Sequence, residues 1–144
     1  MISENKMKVS FPSRSVNEAF ARTVVAAFVA AADPTVDELC DIRTAVSEAV
    51  TNCIVHGYRD TLGTIYISGV MYPGGRVVIK IKDNGCGIEN IKQAMEPLFT
   101  TCKSGERAGL GFAVMEELMD KVKVRSIPGK GTTVIMERII KSKQ

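Results

Sequence analysis

The sequence is poor in the residues that metal centres and disulfide frameworks use. It contains one histidine, His56, and its four cysteines, at positions 40, 53, 86 and 102, show no Cys-x-x-Cys spacing. Zinc sites usually combine closely spaced cysteine and histidine ligands, so this pattern argues against a zinc site. Unpaired thiols are typical of a reducing compartment, and we therefore expect a cytoplasmic protein.

Long apolar runs and runs of basic residues are also missing. The longest apolar run, residues 24–32, is far shorter than the roughly 20 residues that cross a bilayer, and residues 1–10 lack the apolar core of a signal peptide. We therefore expect no membrane partner. The net charge is +3 with the two signs interspersed, and no Lys/Arg run is interleaved with aromatic residues. This balance predicts no direct nucleic-acid partner.

What the chain does have is enough apolar sequence for one core. Of its 144 residues, 45% are hydrophobic and 24% are charged, as in an ordinary globular protein, and no linker divides residues 1–144. The predicted elements run strand, two helices, hairpin, long connection, helix, hairpin. This order favours a single α+β domain, a two-layer α/β sandwich whose mostly antiparallel sheet is covered by helices on one face.

The first helix follows a strand at residues 6–11 and is predicted to run from residue 15 to about residue 32. Ser15 and Glu18 have the spacing of a capping box. Val25 and Val29 would lie on the far side beside Arg22, either as a partner surface or under another element. The core stripe is predicted to contain Val16, Phe20, Val24, Ala27 and Ala31.

The second helix is predicted from Thr35, which forms a capping box with Glu38, to His56, before a helix-terminating glycine. Glu48 and Asn52 point the same way, one turn apart, roughly opposite the apolar stripe. An acid and an amide oxygen so placed can serve a hydroxyl nucleophile and a magnesium ion, although an ordinary solvated helix face has the same pattern. The apolar stripe contains Leu39, Ile42, Val46, Val50, Cys53 and Gly57.

A hairpin of residues 64–72 and 76–82 follows, joined by Pro73-Gly74-Gly75. Its second strand leads into Asp83-Asn84-Gly85-Cys86-Gly87-Ile88. Two glycines after a strand-terminal aspartate let the backbone approach a ligand closely, and the carboxylate can accept a hydrogen bond from an exocyclic amine. Taken alone, this is a turn, and most such turns bind nothing.

Residues 89–107 form a long connection, a length typical of a functional lid or a disordered loop. They lead to Gly109-Leu110-Gly111 at the start of a short helix, with Arg107 just before it. Backbone N–H groups and the positive end of a helix dipole bind phosphate well. Residues 121–127 and 132–140 then read as two strands around Pro128-Gly129-Lys130-Gly131.

The three motifs, Glu48 with Asn52, Asp83-x-Gly-x-Gly, and Gly109-x-Gly111, in this order resemble the GHKL ATP-binding superfamily of gyrase, Hsp90, histidine kinases and MutL. The P-loop pattern and the Val-Ala-Ile-Lys and His-Arg-Asp patterns of ordinary protein kinases are absent. The resemblance implies a Bergerat fold and ATP/ADP with Mg²⁺ as cofactors.

Four segments are more specifically similar to the small anti-sigma serine kinases of spore-forming bacteria: residues 45–52, 83–88, 93–101 and 128–133. The similarity covers nearly the whole chain, and residues 95–101 are the most specific part. It implies a homodimer that captures the sporulation sigma factor F in an ATP-dependent way. It also implies phosphorylation of a serine on an anti-anti-sigma factor, which would inactivate that antagonist.

The resemblance implies individual roles as well. Glu48 would be the general base, Asn52 the magnesium ligand, and Arg22 part of the partner-binding surface. Asp83 would accept a hydrogen bond from the adenine amine. The predicted nucleotide-binding residues are Asn52, Asp83, Gly85, Gly87, Thr101, Arg107, Gly109, Gly111 and Thr132. Residues 102–105, Cys-Lys-Ser-Gly, depart from the family pattern, which usually carries proline and acid there, so lid closure and partner contacts are less well defined.

Three alternatives remain open. A general-stress anti-sigma kinase would share the fold, the base and the metal ligand but act on another sigma factor; residues 95–101 argue against it. An ATP-gated binding module would use nucleotide only to shape a partner surface, without kinase activity. An unrelated α+β interaction domain would require the three motifs to occur in this order by accident.

Overall fold

The computed structural model describes residues 2–95 and 110–141. A 3₁₀ turn, Ala30–Ala32, follows the first helix, and a π-helical turn, Cys53–Gly57, follows the second. The described helices are α1 (Asn17–Val29), α2 (Val36–Asn52), α3 (Ile91–Ala94) and α4 (Leu110–Leu118), and the strands are β1 (Asn5–Pro12), β2 (Thr64–Tyr72), β3 (Arg76–Asp83), β4 (Lys121–Ile127) and β5 (Gly131–Ile139).

The five strands form one sheet in the order β1-β2-β3-β5-β4, and each of these neighbouring pairs is antiparallel. Successive side chains of a strand point to opposite faces, so alternate apolar residues form one buried face. The helices cover that face, which confirms the predicted two-layer α+β fold. The helix-facing core of the sheet includes Ile65, Ile67, Met71, Val77, Ile79, Ile81, Val134 and Met136.

The α2 helix forms as its sequence predicts. The Thr35 hydroxyl accepts a hydrogen bond from the Glu38 N–H at 3.1 Å, and the Glu38 carboxylate accepts one from the Thr35 N–H at 2.9 Å. This reciprocal pair satisfies two donors that the first turn leaves unpaired. The apolar stripe packs into the core, with Ile42, Val46 and Val50 fully buried.

The predicted capping box of α1 does not form. The helix begins at Asn17, the residue before it makes no side-chain capping bond, and the Glu18 carboxylate instead pairs with Arg22 one turn further along. The Ser15 carbonyl accepts from the Glu18 N–H. An i, i+4 ion pair therefore replaces the cap in this turn.

The buried face of α1 is also the opposite of the predicted one. Val25 and Val29 are fully buried, whereas Val16 is 69% and Phe20 46% exposed. With Ala21, the two valines form an i, i+4, i+8 stripe on the helix, which packs against α2. The far-side valines therefore give no support to a partner surface at Arg22.

All five predicted strands are present, and each begins and ends within a residue or two of its predicted bounds. A single helical turn, α3, occurs inside the predicted long connection, while residues 96–109, which include most of the predicted lid, lie outside the described residues. In the described parts of the chain, no helix has the length and apolar character needed to cross a membrane.

Candidate functional site

A cavity of about 380 Å³ opens between the end of α2, the end of β3, the loop that follows it and the start of α4. This volume lies within the range of small-molecule binding sites, roughly 300–1,000 Å³. The lining comprises Ala49, Asn52, Cys53, His56, Gly57, Arg59, Ile81, Asp83, Cys86, Gly87, Ile88, Glu89, Asn90, Ala94, Phe112, Thr132 and Val134. The cavity thus combines an apolar wall with a few polar groups.

Asp83, the last residue of β3, is the buried acid of this cavity. Its side chain is 3% exposed, and burial raises the pKa of the carboxyl group. Hydrogen bonds from the Gly85 N–H at 2.8 Å, the Cys53 thiol and the Thr132 N–H act in the opposite direction. A carboxylate offers about four acceptor positions, so these three donors fix its orientation and leave capacity for a ligand donor.

The loop after Asp83 is packed so closely that it requires glycine. A Cβ atom at Gly85 would lie 2.1 Å from the Gly57 carbonyl oxygen, and one at Gly87 would lie 2.3 Å from the Ile127 carbonyl oxygen. Gly87 also has φ +76°, a left-handed conformation that favours glycine. The loop backbone therefore lies directly on the end of the π-helical turn, with Gly87 lining the cavity.

The Tyr58 side chain holds the loop after Asp83 in place. Its hydroxyl donates to the Thr64 carbonyl at 2.5 Å and accepts from the Asn84 N–H at 2.7 Å. Its ring occupies the space that a side chain at Gly63 would need. Burial raises the pKa of the Tyr58 hydroxyl, which keeps it protonated as a donor. The aspartate loop is thereby tied to the start of β2.

The π-helical turn brings two residues to the cavity that the sequence motifs do not identify, His56 and Arg59. Burial, and then the nearby Arg59 charge, lower the pKa of His56, so the imidazole is neutral near pH 7. Arg59 has φ +52°, unusual for a residue other than glycine. Spacing gave one usable signal, since His56 lies one turn after Asn52 on the same helical face.

At the other end of the site, α2 meets the first turn of α4. A Cβ atom at Gly111 would lie 3.0 Å from the Asn52 amide nitrogen and 3.2 Å from a Glu48 carboxylate oxygen. The absence of a side chain at Gly111 lets these two polar groups approach a helix N-terminus, where the dipole and unpaired N–H groups favour anions. The structure thus brings together Glu48, Asn52 and Gly111.

The oxygen atoms of Asn52 and Glu48 are of the kind that bind magnesium. Mg²⁺ takes oxygen ligands and usually keeps waters and substrate phosphates among them, so one or two protein oxygens suffice. The Asn52 amide provides one such oxygen, and the Glu48 carboxylate lies beside it. In residues 2–95 and 110–141, no group of three His, Cys, Asp or Glu residues could hold a metal by itself.

The other predicted site residues fall into three groups. Thr132 lines the cavity, and its hydroxyl lies 2.8 Å from the Ser126 hydroxyl. Arg22 is half-buried on α1 and is not among the lining residues. Thr101, Arg107 and Gly109 lie outside the described residues.

Comparison with known proteins decides the family. Residues 11–138 match the histidine kinase-like ATPase domain family. The anti-sigma F factor of Thermoanaerobacter sp. (strain X514) is 55% identical over 138 residues, 96% of each chain, and that of Clostridium kluyveri is 50% identical over 139 residues, 96% of this chain and 97% of its own. The chain belongs to the anti-sigma F factor family. This confirms the resemblance drawn from the sequence motifs.

Solved structures support the fold of this family member. The RsbU and RsbW domains of a Mycobacterium tuberculosis protein match 93% of this chain and 31% of that one, with a TM-score of 0.67 at 18% identity. A blue-light activated histidine kinase of Erythrobacter litoralis matches 77% of this chain and 33% of that one, with a TM-score of 0.60 at 21% identity. At these identities the likeness concerns the fold alone.

Proposed function

We propose that this protein is an anti-sigma factor and protein-serine kinase that uses Mg-ATP. It binds the sporulation sigma factor F in an ATP-dependent way and phosphorylates a serine on an anti-anti-sigma antagonist. The observation that carries the proposal is a cavity whose lining includes the buried acceptor Asp83 and the amide of Asn52, with Glu48 next to Asn52 at the first turn of α4.

The Asp83 end suits an adenine base. The exocyclic amine of adenine is a donor, and the oriented carboxylate is a strong acceptor held in a largely apolar wall. Gly87 lets the loop backbone lie close to a flat ring, and Thr132 borders the same space. Gly85 contributes indirectly, because its N–H orients Asp83.

The α4 end suits the phosphates. Asn52 would hold Mg²⁺, and the first turn of α4 at Gly111 would accept an anion. The family resemblance adds Thr101, Arg107 and Gly109 to this end of the site. A bound Mg²⁺ would neutralise part of the phosphate charge. The surrounding residues would hold the phosphates in position, and positioning is most of what phosphoryl transfer requires.

Glu48 is proposed as the general base. It takes the proton of the incoming serine hydroxyl while the serine oxygen bonds to the γ-phosphorus and the bond to the β,γ-bridging oxygen breaks. ADP is the leaving group, and phosphoserine is the product. A correctly placed base contributes about 10²- to 10⁴-fold to such a rate.

The partner side of the proposal rests on the family. The protein would act in the cytoplasm as a homodimer, with Arg22 on the surface that contacts sigma factor and antagonist. A sigma factor F partner distinguishes this proposal from a general-stress kinase.

The test is transfer of labelled γ-phosphate from ATP to the antagonist in the presence of Mg²⁺. We expect label on a serine, and we expect Glu48→Gln to lower the transfer rate about 10²- to 10⁴-fold while ATP affinity is kept. Glu116→Gln, at an exposed position on α4, is the matched control and should transfer normally.

Two outcomes would contradict the proposal. Undiminished transfer by Glu48→Gln would exclude this residue as the base. ATP binding without any label on the antagonist would instead support a nucleotide-gated binding module with no kinase activity.

A further inference from the structure

The face of the sheet that the helices leave uncovered, here called the open face, is strongly basic. It consists of every second residue of the five strands. Along β4 the open-face residues include Lys121, Lys123 and Arg125, and all three are exposed. The basic residues on the open face are Lys6, Lys8, Arg76, Lys80, Lys82, Lys121, Lys123 and Arg125.

The acidic residues of the five strands do not balance these charges. Within the five strands, Glu137 is the one acidic residue of the open face, and it is paired with Arg76 at 2.9 Å. The Arg76 guanidinium also lies 4.6 Å from the centre of the Tyr72 ring. Outside the strands, Glu4 precedes β1, and Asp120 precedes β4, where its carboxylate accepts a hydrogen bond from the Ile139 N–H. The face therefore carries a large positive excess although the whole chain has a net charge of only +3.

Strand pairing arranges the charges in two dimensions. Lys8 is in register with Ser68, which faces Lys80; Lys80 faces Ile135, which faces Lys123. Since neighbouring strands lie about 4.8 Å apart, these three lysines recur roughly every 10 Å across the sheet. Along a strand, open-face residues recur about every 6.7 Å, as Lys80 and Lys82 do. The result is an array rather than a track.

One end of the open face adds amphipathic and apolar groups. Ile127, at the end of β4 after Arg125, is 60% exposed, and Tyr66, paired with Lys82, is 42% exposed. Apolar and tyrosine side chains beside lysines are typical of surfaces that lie at a membrane interface.

The sequence expectation of no membrane partner rests on the absence of an apolar span and does not address a charged surface; we propose that the open face docks on the surface of an anionic lipid bilayer. A two-dimensional array of charges fits a surface of phosphate headgroups, and clusters of four to eight Lys/Arg residues are typical of proteins that bind acidic lipids. Six of the eight basic residues are lysines, which act as point charges toward phosphate without the bidentate geometry of arginine.

A nucleic acid fits the face less well. Single-stranded RNA or DNA binds along a groove or track with aromatic side chains on which bases stack. The tyrosines of the open face do not supply a row of such stacking platforms, because Tyr72 lies under Arg76 and Tyr66 stands near one end.

Docking through the open face would leave the cavity accessible. The cavity is lined by Ile81, Asp83 and Val134, which point to the opposite, helix-covered face of the sheet. Nucleotide and protein partners could therefore still reach their sites on a membrane-bound molecule. The inference concerns a separate surface and does not depend on the proposed kinase activity.

The test is co-sedimentation of the full chain with vesicles of phosphatidylcholine alone or mixed with phosphatidylglycerol. We expect binding to the anionic vesicles only, weakened by added salt. A triple variant, Lys8→Glu with Lys80→Glu and Lys123→Glu, reverses the charge at three open-face positions. Its vesicle partition coefficient should be lower than that of the wild type by on the order of 100-fold. Circular dichroism and ATP affinity report whether the variant is folded, and the milder change of all three to glutamine serves if it is not.

The matched control changes net charge equally at exposed positions away from the open face: Arg14→Glu, Arg43→Glu and Lys141→Glu. This variant should keep its vesicle binding within a few-fold of the wild type. No binding to anionic vesicles, equal binding to neutral ones, or equal losses in the two triple variants would overturn the proposal. Tighter binding to a short single-stranded RNA than to anionic vesicles, in the same buffer, would overturn it in favour of a nucleic-acid surface.

Discussion

Asp83 is held in an environment that opposes its charge. Burial raises its pKa above the ordinary value of 3.8, despite the hydrogen bonds from the Gly85 N–H, Cys53 and Thr132. A raised pKa in the folded state contributes stability that is complete below about pH 3.8 and is lost as the pH rises through the folded-state pKa. The ionised carboxylate, the form that accepts from a ligand donor, is thus held in this loop at the expense of stability.

Replacing Asp83 by asparagine should remove this pH dependence. We expect the free energy of unfolding of the wild type, minus that of Asp83→Asn, to fall as the pH rises from about 4 to 7. Urea denaturation across this pH range measures the difference. Asp60→Asn, in an exposed loop, is the control and should show no such trend. A constant difference between wild type and Asp83→Asn would show that burial does not perturb the carboxyl group.

Gly85 should be required for the shape of the aspartate loop. In Gly85→Ala the new methyl group would collide with the Gly57 carbonyl and displace the N–H that orients Asp83. We expect ATP affinity to fall at least about tenfold, which corresponds to about 1.4 kcal/mol of lost binding free energy. Isothermal titration calorimetry measures it.

Gly74 provides the comparison for that substitution. It has φ +83° in the β2–β3 turn and open space around its α-carbon. Gly74→Ala should therefore lower stability by about 1 kcal/mol through backbone strain while leaving ATP affinity unchanged. Equal ATP affinities in the two variants would contradict the role given to the loop at Gly85.

Single residues also show what the sequence can and cannot predict. Helical spacing and a strand-terminal turn predict Glu48, Asn52 and Asp83; the structure places Asn52 and Asp83 in the lining of one cavity, with Glu48 beside Asn52. His56 and Arg59 reach the cavity through a π-helical turn and a left-handed backbone conformation. The spacing of His56 from Asn52 hints at its position, but no residue pattern predicts the π-helical turn or the left-handed conformation of Arg59, so the position of Arg59 depends on the packed structure.

At the scale of elements, the two long helices differ in how well their sequences define them. The α2 stripe is unambiguous because polar residues cover its other face. The α1 sequence is apolar nearly all round, with valine, alanine and phenylalanine on several faces. Which face is buried is then decided by fit against α2 and the sheet, where Ala21, Val25 and Val29 pack. Periodicity alone cannot make that choice.

The two capping sequences lead to opposite expectations for stability. Thr35→Ala should lower the free energy of unfolding by about 1 kcal/mol, because it removes the acceptor for the Glu38 N–H. Ser15→Ala should change it by less than about 0.5 kcal/mol, since Ser15 makes no side-chain cap on α1. Urea denaturation of the two variants is the measurement. Equal losses would mean that the N-terminus of α1 is capped after all.

At the scale of the molecule, the sheet separates two environments. Its helix-covered face carries the core and the cavity, and its open face carries eight basic residues. The fold class follows from the order of elements along the chain. The charge separation does not, because the lysines alternate with apolar residues in strands far apart in sequence. Only the register of the sheet brings them together.

The central claim is that the cavity binds the adenine of ATP through Asp83. The measurement that tests it most directly compares the affinities of ATP and inosine triphosphate for the wild type and for Asp83→Asn. Inosine triphosphate carries a carbonyl oxygen where ATP carries the exocyclic amine, so that position cannot donate to the Asp83 carboxylate.

We expect the wild type to bind ATP about 10- to 100-fold more tightly than inosine triphosphate, which corresponds to one hydrogen bond to a charged group. Asp83→Asn should lose most of that difference in affinity, because its amide can donate to the inosine carbonyl. An unchanged preference in Asp83→Asn would contradict the adenine assignment and would place the base elsewhere in the cavity.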